Sequence, residues 1–444
     1  MKFEPPQDHG LPQLRDVLRA AGLTRRLQHA LQATEPGSEI ARAHVRRLYY
    51  EPGSPCRLLV EARLRVPGAP ERTQLYFGEM FETNEFERAV RQLPERPAAV
   101  VHRDALILWA FPGDPYLAGT ASLANPPAMH ARIQANPGHF GLPGDATIVD
   151  VRVELSKYVP ARRCSFAYAV RWRDHAGVTS EHRFFGKTYL KGRAGPACEI
   201  LQRIGSSSAC RTGRLRIPRV YGYDVSLEAV WQELVPGTPQ SKNAHPADLL
   251  ESAGQVGAAL AALHTSDVAF GPGKGMSKQT QDLERAAARI VAAYPSLAPQ
   301  CAEVAHRLLD CAPRLPGAVV APVHGSFKSG HVLVDDGRVA IIDFDGAGLG
   351  DPLYDVGRYL ARLDLAGAKS AAARSAIDAA AARFREFYAA AVPWGWPEMR
   401  VRWYTSAHLV ASQAQKNVKR MAPRRVRSTL QRAEKWFPAE LMVR

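Results

Sequence analysis

The chain predicts an α+β fold, with sheet-forming segments filling the first 240 residues and helices dominating the rest. Three observations carry that expectation. A set of strand residues recurs at a fixed offset in the first half. A tight hairpin ending in Asp343 lies between Val323 and Arg358, and apolar residues at helical spacing begin at Asp248 and resume after the hairpin.

Length and composition set the frame. A chain of 444 residues corresponds to roughly two to three domains, and 46% hydrophobic residues are enough for a substantial core. The six cysteines, at 56, 164, 198, 210, 301 and 311, form no C-x-x-C pair and no spacing with histidine that suits zinc, so reduced thiols are expected. The N-terminus lacks an apolar leader and no apolar run approaches ~18 residues, which points to a cytoplasmic protein with no membrane association. The net charge of +15 raises a polyanion as partner. Arginine greatly outnumbers lysine and alanine is abundant, a bias that GC-rich coding also produces. No nucleic-acid-binding signature accompanies the charge, so nucleic acid is disfavoured as a partner.

Residues 11 to 33 space Leu14, Val17, Leu18, Ala21, Leu27 and Leu31 as one amphipathic helix. The repeat follows. Tyr50, Pro52 and Cys56 recur as Tyr158, Pro160 and Cys164 at an offset of 108, and Tyr76-Phe77-Gly78-Glu79 recurs as Phe184-Phe185-Gly186-Lys187. A third match sets Trp109-Ala110-Phe111-Pro112-Gly113 against the run from Trp231 to Gly237. Self-similarity at a fixed offset indicates one supersecondary unit used twice, here strand, turn, strand, strand, helix, strand. In the second copy the hairpin joins Val151–Tyr158 to Cys164–Trp172, the third strand is Phe184–Tyr189, and a short helix runs through Cys198 to Ile204. Ala124 to Gly144, rich in Pro, Gly and Asn, reads as the linker between the copies.

From Asp248 onward, Leu249, Ala253, Val256, Leu260 and Leu263 define a helix that His264 terminates. Helices are expected near 279–293 and 298–311, then after the hairpin near 351–363, 370–391, 398–419 and 424–438. Asp351-Pro352 supplies a helix cap and first-turn proline. The cationic run from Lys416 to Lys435 reads as a solvated helical face, with a docking surface for an anionic substrate or partner as the rival.

Between these helices, Val332–Val334 and Val339–Ile342 flank the turn Asp335-Asp336-Gly337, a strong hairpin signal. His324-Gly325 stands before it and Asp343 after it. A carboxylate leaving a buried apolar strand is costly to desolvate without a cation or donor, so Asp343 is expected to face a site.

The segment His324-Gly325, Ile342-Asp343-Phe344-Asp345, Gly350-Asp351-Pro352 and Asp355 resembles the catalytic half of the aminoglycoside phosphotransferase family, relatives of the protein kinases. That family's pattern is H-G-D-x-x-x-x-N, a hairpin, I-D-[WF]-[DE] and G-D-P-x-x-D. The chain departs from it where Ser326 replaces the catalytic-base Asp and His331 replaces the metal-binding Asn. The resemblance implies a protein-kinase-like fold with an antiparallel-sheet small lobe at 141–240 and a helical large lobe at 241–444, preceded at 1–140 by the leading helix and a degenerate copy of the small lobe.

The same resemblance implies ATP and Mg²⁺ as cofactors and a small-molecule hydroxyl as phosphate acceptor. Lys187 falls where the phosphate-pairing strand lysine belongs, with Glu199 as its ion partner. Arg162 and Arg163, at a hairpin tip without a glycine-rich loop, would cover phosphates. The adenine edge would meet backbone around Glu233 to Val235. Asp343 would hold metal, His331 would ligate metal or accept a proton, and Asp345 would substitute for the base missing at Ser326, beside His324. Glu79, at the Lys187 position of the first copy, would repel phosphate, which assigns that copy to packing, dimerisation or partner docking. Two other readings stand beside the kinase: a pseudokinase that binds a ligand and acts through a partner, and a basic scaffold or nucleic-acid binder.

Overall fold

The computed structural model describes residues 4–32, 37–93, 97–241, 246–271, 275–315, 317, 319–367 and 371–437. Two helices open it, α1 (Leu14–Val17) and α2 (Ala20–Leu31), where apolar spacing predicts one. The break falls at Arg19, whose extended backbone (φ −76°, ψ 123°) interrupts the helix while Leu14, Val17, Leu23 and Leu27 stay buried.

A first sheet follows, from β1 (Glu39–Tyr49), β2 (Cys56–Arg65), β3 (Arg72–Met80), β4 (Ala99–Val101) and β5 (Leu106–Ala110), with α3 (Thr83–Arg91) after the third strand. Beyond α4 (Thr120–Leu123) and α5 (Pro126–Ala135) comes a second sheet of β6 (Thr147–Val159), β7 (Arg163–Arg173), β8 (Thr179–Thr188), β9 (Val220–Asp224) and β10 (Ala229–Glu233). Helices α6 (Ala194–Gly205) and α7 (Ser208–Arg211) again follow the third strand. The strand orders are β1-β2-β3-β5-β4 and β6-β7-β8-β10-β9, the same arrangement twice, and every pair is antiparallel.

Register explains the shared glycine and corrects the tryptophan match. Gly78 lies opposite Leu108, and Gly186 lies opposite Trp231. A Cβ on Gly186 would stand 2.6 Å from the Trp231 ring, and one on Gly78 would stand 3.1 Å from Leu108, so each glycine admits a large cross-strand neighbour. Leu108 is therefore the counterpart of Trp231, and Trp109 that of Gln232. A slip of one residue reverses the face a strand side chain presents.

The expected linker from Ala124 to Gly144 is folded. Asn125 accepts the Ala128 N–H as a cap, Pro126 begins α5, and Met129, Ile133 and Phe140 are buried. Its proline and asparagine serve helix ends and not a flexible joint. One face of the first sheet, with Leu59, Phe77, Ile107 and Trp109, packs with Phe166, Tyr168, Phe184 and Trp231 of the second. Its opposite face, with Leu58, Val60 and Leu64, covers α1 and α2.

The remainder is the helical part. It comprises β11 (Thr238–Pro239), α8 (Pro246–His264), α9 (Met276–Ala293), α10 (Ala298–Cys311), β12 (Ala321–Val323), β13 (Val332–Asp335), β14 (Arg338–Ile341), β15 (Gly348–Gly350) and α11 (Leu353–Ala366). Helices α12 (Ala371–Ala390), α13 (Glu398–His408), α14 (Gln415–Val418) and α15 (Pro423–Trp436) complete it. The helix expected over 398–419 is interrupted by a π-helical segment, Leu409–Ala414. Asp336 and Gly337 take φ of 44° and 71° in the β13–β14 turn, as a two-residue hairpin loop demands. Helix α11 begins one residue later than expected, with Pro352 at its N-cap position, and Asp351 accepts the Leu353 N–H at 3.0 Å.

The first sheet also reaches the helical part directly. Tyr50 N–H donates to the Lys419 carbonyl at 3.3 Å, and Glu51 pairs with Lys419 and, at 3.3 Å, with Arg289. All six cysteines are free thiols, and among the described residues no helix is long and apolar enough to cross a membrane.

Candidate functional site

The second sheet and the β13–β14 hairpin enclose a cleft of about 300 Å³, lined in part by Arg163, Lys187, Gln232, His331, Asp343 and Asp345. Residues far apart in the chain meet here because β8 carries Lys187 inward and β14 ends at Ile341, just before Asp343. Lys187 Nζ lies 2.8 Å from Asp343 Oδ1 and 2.6 Å from Asp345 Oδ2. Arg163 Nη1 lies 3.2 Å from Asp343 and 3.4 Å from Asp345, and Tyr189 OH donates to Asp345 Oδ1 at 3.0 Å.

Burial alone would raise the Asp343 carboxyl, yet the Lys187 ammonium and the Arg163 guanidinium hold it well below the usual carboxylate range. Asp343 also has φ of 71°, a left-handed conformation that costs a non-glycine residue on the order of 1 kcal/mol. The surrounding contacts keep a strained, ionised carboxylate aimed into the cleft.

The loop before the hairpin hangs on Asp355. Its carboxylate accepts the N–H groups of His324 (2.6 Å), Gly325 (3.2 Å) and Phe327 (3.3 Å). His264 Nε2 approaches the same carboxylate at 3.4 Å, while its Nδ1 meets Tyr388 OH at 2.9 Å. His264 is therefore a buried support of this loop and more than a helix terminus. His324 is buried, and burial lowers its pKa. Its Nε2 faces the Ile342 carbonyl at 3.0 Å; because a carbonyl only accepts, Nε2 carries the proton and Nδ1 is free to accept from Ser326 Oγ at 3.2 Å.

His331 Nε2 lies 3.0 Å from Asp343 Oδ2, but among the described residues neither ring nitrogen has an aligned hydrogen-bond partner. Burial pushes its pKa down to about 3, so the ring is neutral. Among the described residues no three metal-ligating side chains gather at one point. Magnesium prefers oxygen ligands and is commonly held by one or two carboxylates together with its ligand's phosphates. Asp343 and Asp345, which converge on one ammonium, fit that requirement, whereas the imidazole of His331 does not supply an oxygen.

Several expected site residues lie elsewhere. Glu199 pairs with Arg203 at 2.5 Å and not with Lys187; its side chain is 60% exposed because α6 buries Cys198, Leu201 and Ile204 instead. Arg162 is exposed at the hairpin tip, and only Arg163 turns into the cleft. The Glu233 carboxylate is taken by Arg216 and the Arg219 N–H, and its own N–H donates to the Arg219 carbonyl at 2.8 Å. Gln232 and Pro239 line the cleft where Glu233 and Val235 were expected. Asp345 is bound to Lys187, Arg163 and Tyr189, an arrangement that occupies the carboxylate proposed as a substitute base. Tyr189 escaped the sequence reading, although two residues beyond Lys187 on an alternating strand would have put it on the same side.

Glu79, the counterpart of Lys187 in the first sheet, is buried between Arg57 Nε (2.7 Å) and Tyr116 OH (2.9 Å). The first sheet thus has an internal carboxylate–guanidinium pair where the second has an ammonium facing two carboxylates.

A sheet-rich small lobe, a mainly helical large lobe and paired Lys and Asp across the cleft define a two-lobed protein of protein-kinase-like fold. The phosphotransferase enzyme family model matches residues 178–401, half of the chain, and the chain belongs to that family. No curated protein matches it in sequence. Among solved structures, a thermostable mutant of aminoglycoside phosphotransferase APH(4)-Ia in ternary complex with ADP and hygromycin B is 18% identical; the match covers 67% of this chain and 94% of that one, with a TM-score of 0.45. Aminoglycoside phosphotransferase APH(3'')-Id from Streptomyces rimosus is 17% identical over 63% of this chain and 96% of its own, with a TM-score of 0.38. Choline kinase LicA from Streptococcus pneumoniae is 13% identical over 65% of this chain and 93% of its own, with a TM-score of 0.42.

Proposed function

We propose that the protein transfers the γ-phosphoryl group of ATP to a hydroxyl of a small molecule. The observation that carries this reading is the convergence of Lys187 and Arg163 on Asp343 and Asp345 in one cleft. Phosphoryl transfer proceeds through a loose transition state, so positioning and charge neutralisation supply most of the catalysis. Lys187 and Arg163 bind phosphate oxygens in this reading, and Gln232 and Pro239 border the base. Asp343 and Asp345 would hold a magnesium ion, which offsets phosphate charge when bound.

In the transfer the acceptor oxygen bonds to the γ-phosphorus while the bond from that phosphorus to the bridging oxygen breaks, releasing ADP. The hydroxyl proton passes to Ser326 Oγ as the serine's own proton moves to His324 Nδ1, a relay supported by their 3.2 Å contact. Burial opposes the imidazolium so formed, and the Asp355 and Asp343 carboxylates offset part of that cost.

Thermal melting with millimolar ATP and Mg²⁺ tests the nucleotide site. A ligand binding only the folded state at 100 times its Kd stabilises it by about 2.7 kcal/mol. Wild type is expected to show such a shift, and Lys187→Met and Asp343→Asn to lose most of it while remaining folded. Radiolabelled transfer to a panel of hydroxyl compounds then separates catalysis from binding alone. A melting shift without transfer to any acceptor would favour the pseudokinase, and no shift at all would remove both nucleotide-dependent readings.

A further inference from the structure

Beside the phosphate end of the cleft stands a group of cations whose neighbours are almost all cations. Arg358 and Arg362 lie one turn apart on α11, and among the described residues their guanidinium groups meet neutral side-chain partners, including Ser412 Oγ at 3.4 Å and Gln413 Oε1 at 2.9 Å. Among the described residues, the Nε–H of each is sealed from solvent without an acceptor. Ser412 and Gln413 are consecutive residues of the π-helical segment, a distortion frequently found at functional sites, and both meet α11.

Lys416 follows Ser412 by four residues. Burial, then Arg362, Arg420 and Arg358, push its ammonium down to about 7. Lys328, two residues after Ser326, is also pushed down to about 7 by burial, with Arg358, Lys157 and Arg163 opposing the attraction of Asp343. Among the strongest charges acting on Lys157, Lys328, Arg362 and Lys416, Asp343 is the single carboxylate.

We propose that this face binds the acceptor through an oxyanion, so that the substrate is a hydroxyl compound already carrying a phosphate, sulfate or carboxylate group. The inference rests on the phosphotransferase reading for placing an acceptor next to Ser326. Crowded, half-buried cations disfavour the folded state unless a counter-charge arrives, and planar guanidinium forks match oxyanions in bidentate fashion. A solvated helical face would leave these groups in water; here two guanidinium nitrogens are sealed and two lysines are largely covered. Ser326 fits the same logic, because it puts a neutral hydroxyl where a carboxylate would repel an incoming anion.

The test is isothermal titration of the full chain, saturated with Mg²⁺ and AMP-PNP, with inorganic pyrophosphate and separately with choline chloride. Pyrophosphate is expected to bind once, choline not at all, and Arg362→Gln and Lys416→Gln each to weaken pyrophosphate by about tenfold or more. Absent pyrophosphate binding, equal binding by both variants, or choline binding would each overturn the proposal. Lys416→Gln also relieves repulsion, so without anion it is expected to melt above wild type; a lower melting temperature counts against the proposal. The two readings fail separately. If AMP-PNP does not bind but pyrophosphate binds wild type and is lost from both variants, the anion site stands and the phosphotransferase reading falls. If AMP-PNP binds and pyrophosphate does not, the anion site falls and the nucleotide site stands, with radiolabelled transfer deciding the phosphotransferase reading.

Discussion

At Ser326 one hydroxyl stands where the family pattern has a carboxylate, and it meets the Nδ1 of a histidine whose other nitrogen is fixed by Ile342. If that relay moves the acceptor proton, Ser326→Ala lowers kcat by about 10² or more, the usual range for losing general acid–base assistance, and leaves the KM for ATP unchanged. Steady-state kinetics on any accepted substrate checks this; undiminished turnover would exclude the relay. The cleft residues His331, Asp343 and Asp345 were legible because they sit in a compact run of sequence, and His324, bonded to the Ile342 carbonyl, and its partner Ser326 belong to the same run. Glu199 was misplaced because the phase of a helix, set by which side chains it buries, decides where a given residue points. Arg358 and Arg362 left no readable signal, and Lys416 was legible only as a member of the cationic run to Lys435, since the proximity of the three depends on how α11 meets the π-helical segment.

Among the elements, the β6–β7 hairpin has no glycine-rich loop, and its tip is gripped from outside. The buried Asp114 carboxylate, from the segment after β5, accepts Tyr158 OH at 2.8 Å and Ala161 N–H at 2.9 Å, and Ala161 has φ of 54°. Burial alone raises the Asp114 carboxyl above its usual range, although these bonds oppose it. Asp114→Ala leaves those donors unsatisfied and should destabilise the protein by about 2 to 4 kcal/mol. It should also weaken the ATP-induced melting shift, because Arg163 lies two residues past Ala161. Denaturant unfolding together with the melting assay reads both, and an unchanged shift would separate the grip from ligand binding. The hairpin itself was legible in alternating residues around a turn. Its anchor was not, because Asp114 lies 44 residues before Tyr158 in sequence.

For the molecule as a whole, the repeat in sequence appears as a repeat in strand order, while the relation between the two sheets follows from apolar faces that only the fold brings together. Phe166, Tyr168, Phe184 and Trp231 share a core with Leu59, Phe77, Ile107 and Trp109. A chain lacking residues 1–140 should expose that surface and aggregate, as sedimentation after expression would show. A soluble, monomeric truncation would mean that the second sheet and the helices are self-sufficient. The first sheet holds on to both sides of the cleft at once, through Asp114 to the β6–β7 hairpin and through Tyr50 and Glu51 to Lys419 and Arg289. It is a strut across two jaws. Swinging the jaws apart would require breaking one of those attachments, so opening the cleft carries their cost. A ligand would then come and go through the existing mouth, and its residence time would follow the strength of its contacts more than the rate of a hinge.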